Sequence, residues 1–397
     1  MPLSVLVIDR APPLSLRQGN ALIGIEVMRR MRHHDLTLVA PATPAELESA
    51  QQLDGIFGEV HLVRRNRWTP ALAGSIEPAL VGRLRHAPGL DLEAARALGR
   101  CISEVTANRT FDVVHVRQLP MAGYARLLPD TGRLLELIDS ETLGAERARP
   151  ATWRTRLRAL LAAREERQAM RGFDIVTTVA DADAERLRAL GGATRVDVVP
   201  NGVDAERFHP DPGVDRDPGT IVFVGAMSFP PNVAAMRWFT REVLPRIHRV
   251  RPDARLTIVG RDPSVEVRAL SSASVAVTGE VEDVRPFLAG AAVFVAPMVS
   301  GSGIKNKVLE AMSMECPVAA TGLAVEGLPV RSGEDAIVAE GPAGMAAAVL
   351  RVLDDPAEGS RIGAAGRELV ERRYTWAACA VRYEQLYEEL ASRRGSH

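Results

Sequence analysis

Apolar runs of four to six residues, rich in Val, Ile and Leu, recur along this 397-residue chain between longer segments of Ala, Leu, Arg and Glu. In the first half they occupy 5–9, 36–40, 60–63, 113–116, 134–139 and 175–179. In the second half they occupy 220–224, 255–259, 275–278, 293–297, 317–321 and 336–339. Runs this short and this continuous predict strands buried on both faces of a parallel sheet. Helical segments between them predict doubly wound α/β units, here two Rossmann-like halves. The stretch 201–219 is dense in Pro, Gly and Asp and predicts a linker. The expected domains are therefore 1–200 and 220–374. A last helix, about 375–394, carries Tyr383, Leu386, Tyr387 and Leu390 on one face and is expected to cross back onto the first domain.

Apolar content of 46% and charged content of 25% are those of ordinary soluble domains. A formal net charge of −1 leaves no global basic field for nucleic acid. Cys101, Cys316 and Cys379 are odd in number and far apart, which predicts neither disulfides nor a zinc site and fits a reducing cytoplasm. The N-terminus has no signal-peptide pattern and no 18-residue apolar run exists, so a cytoplasmic protein is expected.

Basic residues are distributed unevenly by type. Of 49, only Lys305 and Lys307 are lysine, and both lie in Gly301-Ser302-Gly303-Ile304-Lys305-Asn306-Lys307-Val308-Leu309-Glu310. A Gly-rich turn opening a helix offers free backbone N–H groups and the positive dipole end to an anion. Compact ammonium groups suit phosphate there. No Ser or Thr follows either lysine, so the segment is not a P-loop and no ATPase or kinase is indicated. Glu310, about one turn into the helix, is placed to accept hydrogen bonds from a ribose diol. The residues thus predict a nucleoside-diphosphate ligand.

Ligands of open α/β sheets bind beyond the carboxyl ends of the strands. After the first strand, Arg10, Gln18, Gly19 and Asn20 precede a helix without a GxGxxG pattern, so no nicotinamide cofactor is expected. His115 at a strand end is either a general base or a packed residue. Asp181 and Asp183 read as helix caps rather than a metal pair. The segment 147–171 holds eight arginines with Trp153, Leu157, Leu160 and Leu161. It reads as a membrane-surface helix or a solvated face, and Glu165 and Glu166 favour the latter.

Several motifs together resemble a known family. Val222-Phe223-Val224-Gly225-Ala226-Met227-Ser228-Phe229-Pro230-Pro231-Asn232 is similar to the start of the C-terminal domain of GT-B glycosyltransferases. Pro200-Asn201-Gly202-Val203-Asp204 and Val277-Thr278-Gly279-Glu280 are similar too, and Gly303–Met312 resembles the donor-site signature of family 4 retaining enzymes. Ile138-Asp139-Ser140-Glu141 and Met121-Ala122-Gly123-Tyr124 resemble the exosortase- and exopolysaccharide-associated branch.

The resemblance implies the GT-B fold, with two Rossmann-like domains facing across a cleft. It implies transfer of a sugar, with retention and without metal or cofactor, from a nucleoside-diphosphate sugar to a glycan, lipid-linked or small secondary-metabolite acceptor. Lys305, Lys307, His115 and Arg117 take the catalytic positions. Gly19, Asn20, Gly225, Met227, Arg261, Ser302, Gly303, Ile304, Asn306, Leu309 and Glu310 take the donor-binding ones. Arg10, Gln18, Asp139 and Ser140 fall on the acceptor side. Two departures stand out. Ser302 occupies the position of the family's second glutamate, and 226–233 lacks the family's basic pair. Alternatives are a non-catalytic nucleotide-sugar scaffold or a GT-B epimerase, and a peripheral membrane contact remains open.

Overall fold

The structure, a computed structural model, describes residues 2–14, 19–65, 92–147, 152–192, 194–301 and 303–394. Gln18 and Ser302, both named above as site residues, lie outside them. The chain divides into two compact units, residues 1–200 with 379–397, and residues 201–378.

Unit 1 is built on seven parallel strands: β1 (Ser4–Ile8), β2 (Asp35–Ala42), β3 (Glu59–Arg64), β4 (Val113–Arg117), β5 (Gly132–Glu136), β6 (Ile175–Thr178) and β7 (Arg195–Val198). Their order is β3-β2-β1-β4-β5-β6-β7. Central strands are buried from end to end, as in β4, because helices cover both faces. The edge strand β7 lies outside the six expected runs. Its sequence Arg-Val-Asp-Val alternates because one face is polar: Arg195 bonds Asp197 and, in the last helix, Glu389. That helix, Trp376–Arg394, buries Tyr383, Leu386, Tyr387 and Leu390 to 3% exposure or less. Gly132 makes room for it, since a Cβ there would lie 2.7 Å from the Cβ of Leu390.

Unit 2 carries β8 (Asp217–Val224), β9 (Arg255–Val259), β10 (Val275–Gly279), β11 (Ala291–Ala296), β12 (Val318–Ala320) and β13 (Ile337–Val338), all parallel. Their order is β10-β9-β8-β11-β12-β13. β8 starts inside the stretch read as linker, and Val203 bridges to Thr375, so residues 201–219 belong to this unit. Both sheets reverse direction of growth once, between β1 and β4 and between β8 and β11. Such a switch point leaves a crevice at the carboxyl ends of the two strands.

Candidate functional site

In unit 2 the loops leaving the switch point are Gly225–Phe229 after β8 and residues 297–301 with 303–305 after β11. The second turns sharply, with φ of +112° at Gly301 and +68° at Gly303, values that favour glycine. It ends at Lys305, which starts the helix Asn306–Ser313 without a side-chain cap. Val308 N–H donates to the Lys305 carbonyl at 2.8 Å, and the start of the helix carries the positive end of its dipole.

Lys307 is held on neutral partners. Its Nζ lies 4.4 Å from the centroid of the Phe223 ring and donates to Asn232 Oδ1 at 2.5 Å. Asn232 is 4% exposed and is itself oriented by donating Nδ2 to the Ala226 carbonyl at 2.9 Å. No carboxylate among the described residues forms an ion pair with this ammonium. Burial pulls its pKa down to about 7, with Glu310 opposing the fall and Lys305 adding to it. Burial likewise raises Glu310, against the pull of Lys307 and Arg207. Gly225 is required beside them, because a Cβ there would lie 2.7 Å from Asn232 Nδ2 and 3.0 Å from Lys307 Nζ.

Other predicted donor residues divide by burial. Asn306 faces the site edge, where its Oδ1 accepts from Asn201 Nδ2 at 3.0 Å. Lys305 donates to the Gly303 carbonyl and so braces the turn. Arg261, half-buried after β9, accepts the Met227 N–H at 2.8 Å through its carbonyl. Met227 and Leu309 are fully buried and Ile304 is 7% exposed. Their side chains pack inside the loop and helix, which leaves their backbone atoms to face a donor. Phe223, Asn232 and Asn201 were not assigned roles from sequence. An Asn inside the first turn of a helix, between Pro231 and an apolar run, was the available signal for Asn232.

In unit 1 the switch point holds a buried ionic network. Arg117, 1% exposed, bonds Asp9 through one nitrogen and Glu136 Oε2 through Nε at 2.8 Å. His115, fully buried, places Nδ1 2.6 Å from the Tyr387 hydroxyl and Nε2 3.1 Å from Glu136. Burial pushes Glu136 up, but the Arg117 charge with bonds from His115 and Arg117 outweighs it and holds the carboxyl well below its usual range. Burial lowers His115. His115 and Arg117 are therefore core members rather than catalytic side chains: one is neutral and enclosed, the other is neutralised by two carboxylates.

Ser140 is also spent on structure. Its N–H donates to Asp183 at 2.8 Å and its hydroxyl to Glu166 at 3.2 Å. Asp183 is thus an anchor for the loop after β5, not a helix cap, and Glu166 is turned inward rather than solvated. Asp139 is exposed and Arg10 half-buried at the carboxyl ends of the strands, while Gly19 and Asn20 open the helix Gly19–Arg30. Gln118, unassigned from sequence, adopts φ of +73° just after β4 and reaches Asp9 at 3.4 Å. A non-glycine residue in that conformation marks a locally strained strand end.

Comparison with known proteins agrees with this layout. Residues 26–207 match the family described as Glycosyltransferase Family 4, and residues 218–355 match Glycosyl transferases group 1. A phosphatidyl-myo-inositol mannosyltransferase of Mycobacterium tuberculosis is 30% identical over 234 residues, 55% of this chain and 60% of the relative. The chain spans between about a third and two thirds of the length of the curated relatives it matches. Among solved structures, sucrose-phosphate synthase from Thermosynechococcus elongatus has a TM-score of 0.71 at 16% identity, covering 98% of this chain and all of its own. HepE of Anabaena, solved with UDP, has a TM-score of 0.69 at 13% identity over 98% of this chain and all of its own. These structures establish the GT-B fold.

Proposed function

We propose that this chain, which carries the two domains of a GT-B glycosyltransferase, moves a sugar from a nucleoside-diphosphate donor to an acceptor hydroxyl with retention of anomeric configuration. The observation that carries the reading is the Lys307 ammonium, held on Asn232 and Phe223 at the positive end of the Asn306–Ser313 helix, with no ion-paired carboxylate among the described residues. That is a place made for an anion brought from outside. A diphosphate would lie against the 301–305 turn and the helix N-terminus, with Lys305 and Lys307 beside it. Glu310, one turn on, accepts from the ribose hydroxyls. Departure of the nucleoside diphosphate is the hard step, and charge building on its leaving oxygen is stabilised by the ammonium groups and backbone N–H groups. Fixed positive charge of this kind supplies what a metal supplies elsewhere, so the reaction is expected to survive EDTA. In the retaining mechanism we favour, the acceptor attacks from the face the leaving group vacates and the departing phosphate takes its proton. His115 has no part in it. An acceptor in surface polysaccharide or glycolipid assembly fits the motif resemblance to the exopolysaccharide-associated branch.

The test is mass spectrometry of the protein incubated with UDP-, GDP-, ADP- and dTDP-sugars without metal, following slow donor hydrolysis. Release of one nucleoside diphosphate is the expected result, with Lys307→Ala slowing it by about 10²-fold, the scale of one lost oxyanion donor. Wild-type rates in that variant would remove Lys307 from the mechanism. No release with tight nucleotide binding retained would leave a binding scaffold.

A further inference from the structure

The helix Trp153–Met170 carries an apolar stripe on its exposed face. Trp153 is 64% exposed, Leu160 69%, Leu161 42% and Leu157 39%. At 100° per residue these four fall within one third of the helix circumference, opposite the face buried through Ala159, Glu166 and Met170. Single exposed apolar residues are ordinary, but four on one outward face are not.

The charge around the stripe is predominantly positive: five arginines stand against one exposed acid, Glu165, which falls between Arg154 and Arg158. Arg156 and Arg167 border it on one side, Arg154 and Arg158 on the other, and exposed Arg164 lies within it. Arg158 is 3.6 Å from Glu141, and Arg167 bonds the Leu190 carbonyl. Of the helix's two acids only Glu165 is exposed, because Glu166 faces inward onto Ser140 and Thr142. An apolar stripe with a tryptophan, flanked by arginines on both sides, is the pattern of a helix lying in a lipid–water interface. It does not suit a two-fold contact with a second copy, which would set arginine rows against each other. Among the described residues no helix is long and apolar enough to cross a membrane, so this would be a surface contact.

We propose that the Trp153–Met170 helix docks this protein onto an anionic lipid surface. The apolar stripe enters the headgroup boundary and the arginines meet lipid phosphates. Glu166 ties the helix to the loop after β5: its carboxylate accepts from Ser140 and from the Thr142 hydroxyl at 2.5 Å. Docking therefore orients the carboxyl ends of the unit 1 strands relative to the bilayer. Joined to the proposed transfer, this names the acceptor as a hydroxyl on a lipid-borne molecule. That last step rests on the transferase reading; the docking does not.

Co-sedimentation of the full chain with vesicles tests docking without any sugar donor. Vesicles of phosphatidylcholine with about 30% phosphatidylglycerol should carry the protein down and pure phosphatidylcholine should not, with binding lost as salt rises. Trp153→Ser with Leu160→Ser should weaken binding at least ~10-fold, and Arg156→Ala or Arg164→Ala about 5-fold each. These side chains are exposed, so melting temperatures should stay at the wild-type value. Absence of anionic binding, equal binding to both vesicles, or binding unchanged in the double variant overturns the proposal. So would sedimentation velocity showing a dimer that the double variant dissolves, since the stripe would then be a contact between copies. Docking intact with no nucleotide released from any donor would fail the transferase reading alone.

Discussion

Donor binding should take up a proton once the pH rises above about 7. Burial lowers Lys307 to about 7, while Glu310 opposes that fall and Lys305 reinforces it. Below pH 7 the ammonium is already charged in the empty site, so donor affinity is flat. Above pH 7 the empty site is neutral and must gain a proton as the diphosphate arrives. The apparent Kd then scales as 1 + 10^(pH − 7), a rise of about 10-fold between pH 6 and pH 8. Proton uptake on binding is about 0.9 at pH 8 and about 0.1 at pH 6. Isothermal titration calorimetry in buffers of different ionisation enthalpy reads that number directly. The ligand should be a nucleoside-diphosphate sugar, in which each phosphorus carries one ester and one anhydride linkage and so lacks the second ionisation near pH 6. Lys307→Met should bind more weakly, with no uptake and no pH dependence in this range. Donor binding at pH 8 without proton uptake would refute the reasoning. So would the same uptake in the methionine variant.

Glu310→Gln removes the carboxylate that favours the Lys307 ammonium, so the break in the affinity profile should move below pH 7. It should also weaken donor binding ~10–100-fold, the range of a lost charged hydrogen bond; an unchanged Kd argues against the ribose role. Gly225→Ala sets a methyl 2.7 Å from Asn232 and 3.0 Å from Lys307, and should lower donor affinity at least ~10-fold with the circular dichroism of the fold unchanged. Arg117→Ala leaves Asp9 and Glu136 buried without compensation and should cost about 3–5 kcal/mol in urea denaturation. A wild-type midpoint there would show the network to be dispensable.

Both sheets were legible because a strand covered by helices on each face has no polar alternation to hide it. β7 escaped for the converse reason: Arg195 and Asp197 interrupt it, and their partner Glu389 is 194 residues from Arg195. Distance along the chain also hid the surroundings of Lys307. The lysine stood out by its rarity, but Asn232 is 75 residues away and nothing local links the two. At the end of β4 the ambiguity was one of direction. A polar residue at a strand terminus looks the same whether it faces a ligand or a buried carboxylate. Arg117 meets Asp9, 108 residues back, and Glu136, 19 ahead, and only the strand order β1-β4-β5 makes them neighbours. Burial of Met227 and Leu309 follows the same logic, since a motif conveys proximity to a site without saying which side chains point inward.

The contrast between Lys307 and Arg117 explains why this arginine-rich chain uses lysine where it does. A guanidinium cannot shed its proton, so one placed in the interior needs permanent carboxylates, and Arg117 has Asp9 and Glu136. A site that must stand empty between donors cannot keep such partners in contact, because they would compete with the incoming phosphates. An ammonium resolves the conflict: held by Asn232 and the Phe223 ring, with no ion-paired carboxylate among the described residues, Lys307 has its pKa lowered to about 7 and can discharge when the site is vacant. Lys307→Arg is then the sharpest discriminator. It preserves charge but would place a permanent, bulkier cation beside Gly225, so donor affinity should lose its pH dependence and the empty protein should melt at lower temperature than wild type. An arginine variant as stable as wild type, with the pH dependence intact, would mean that discharge of this side chain is not what the site requires.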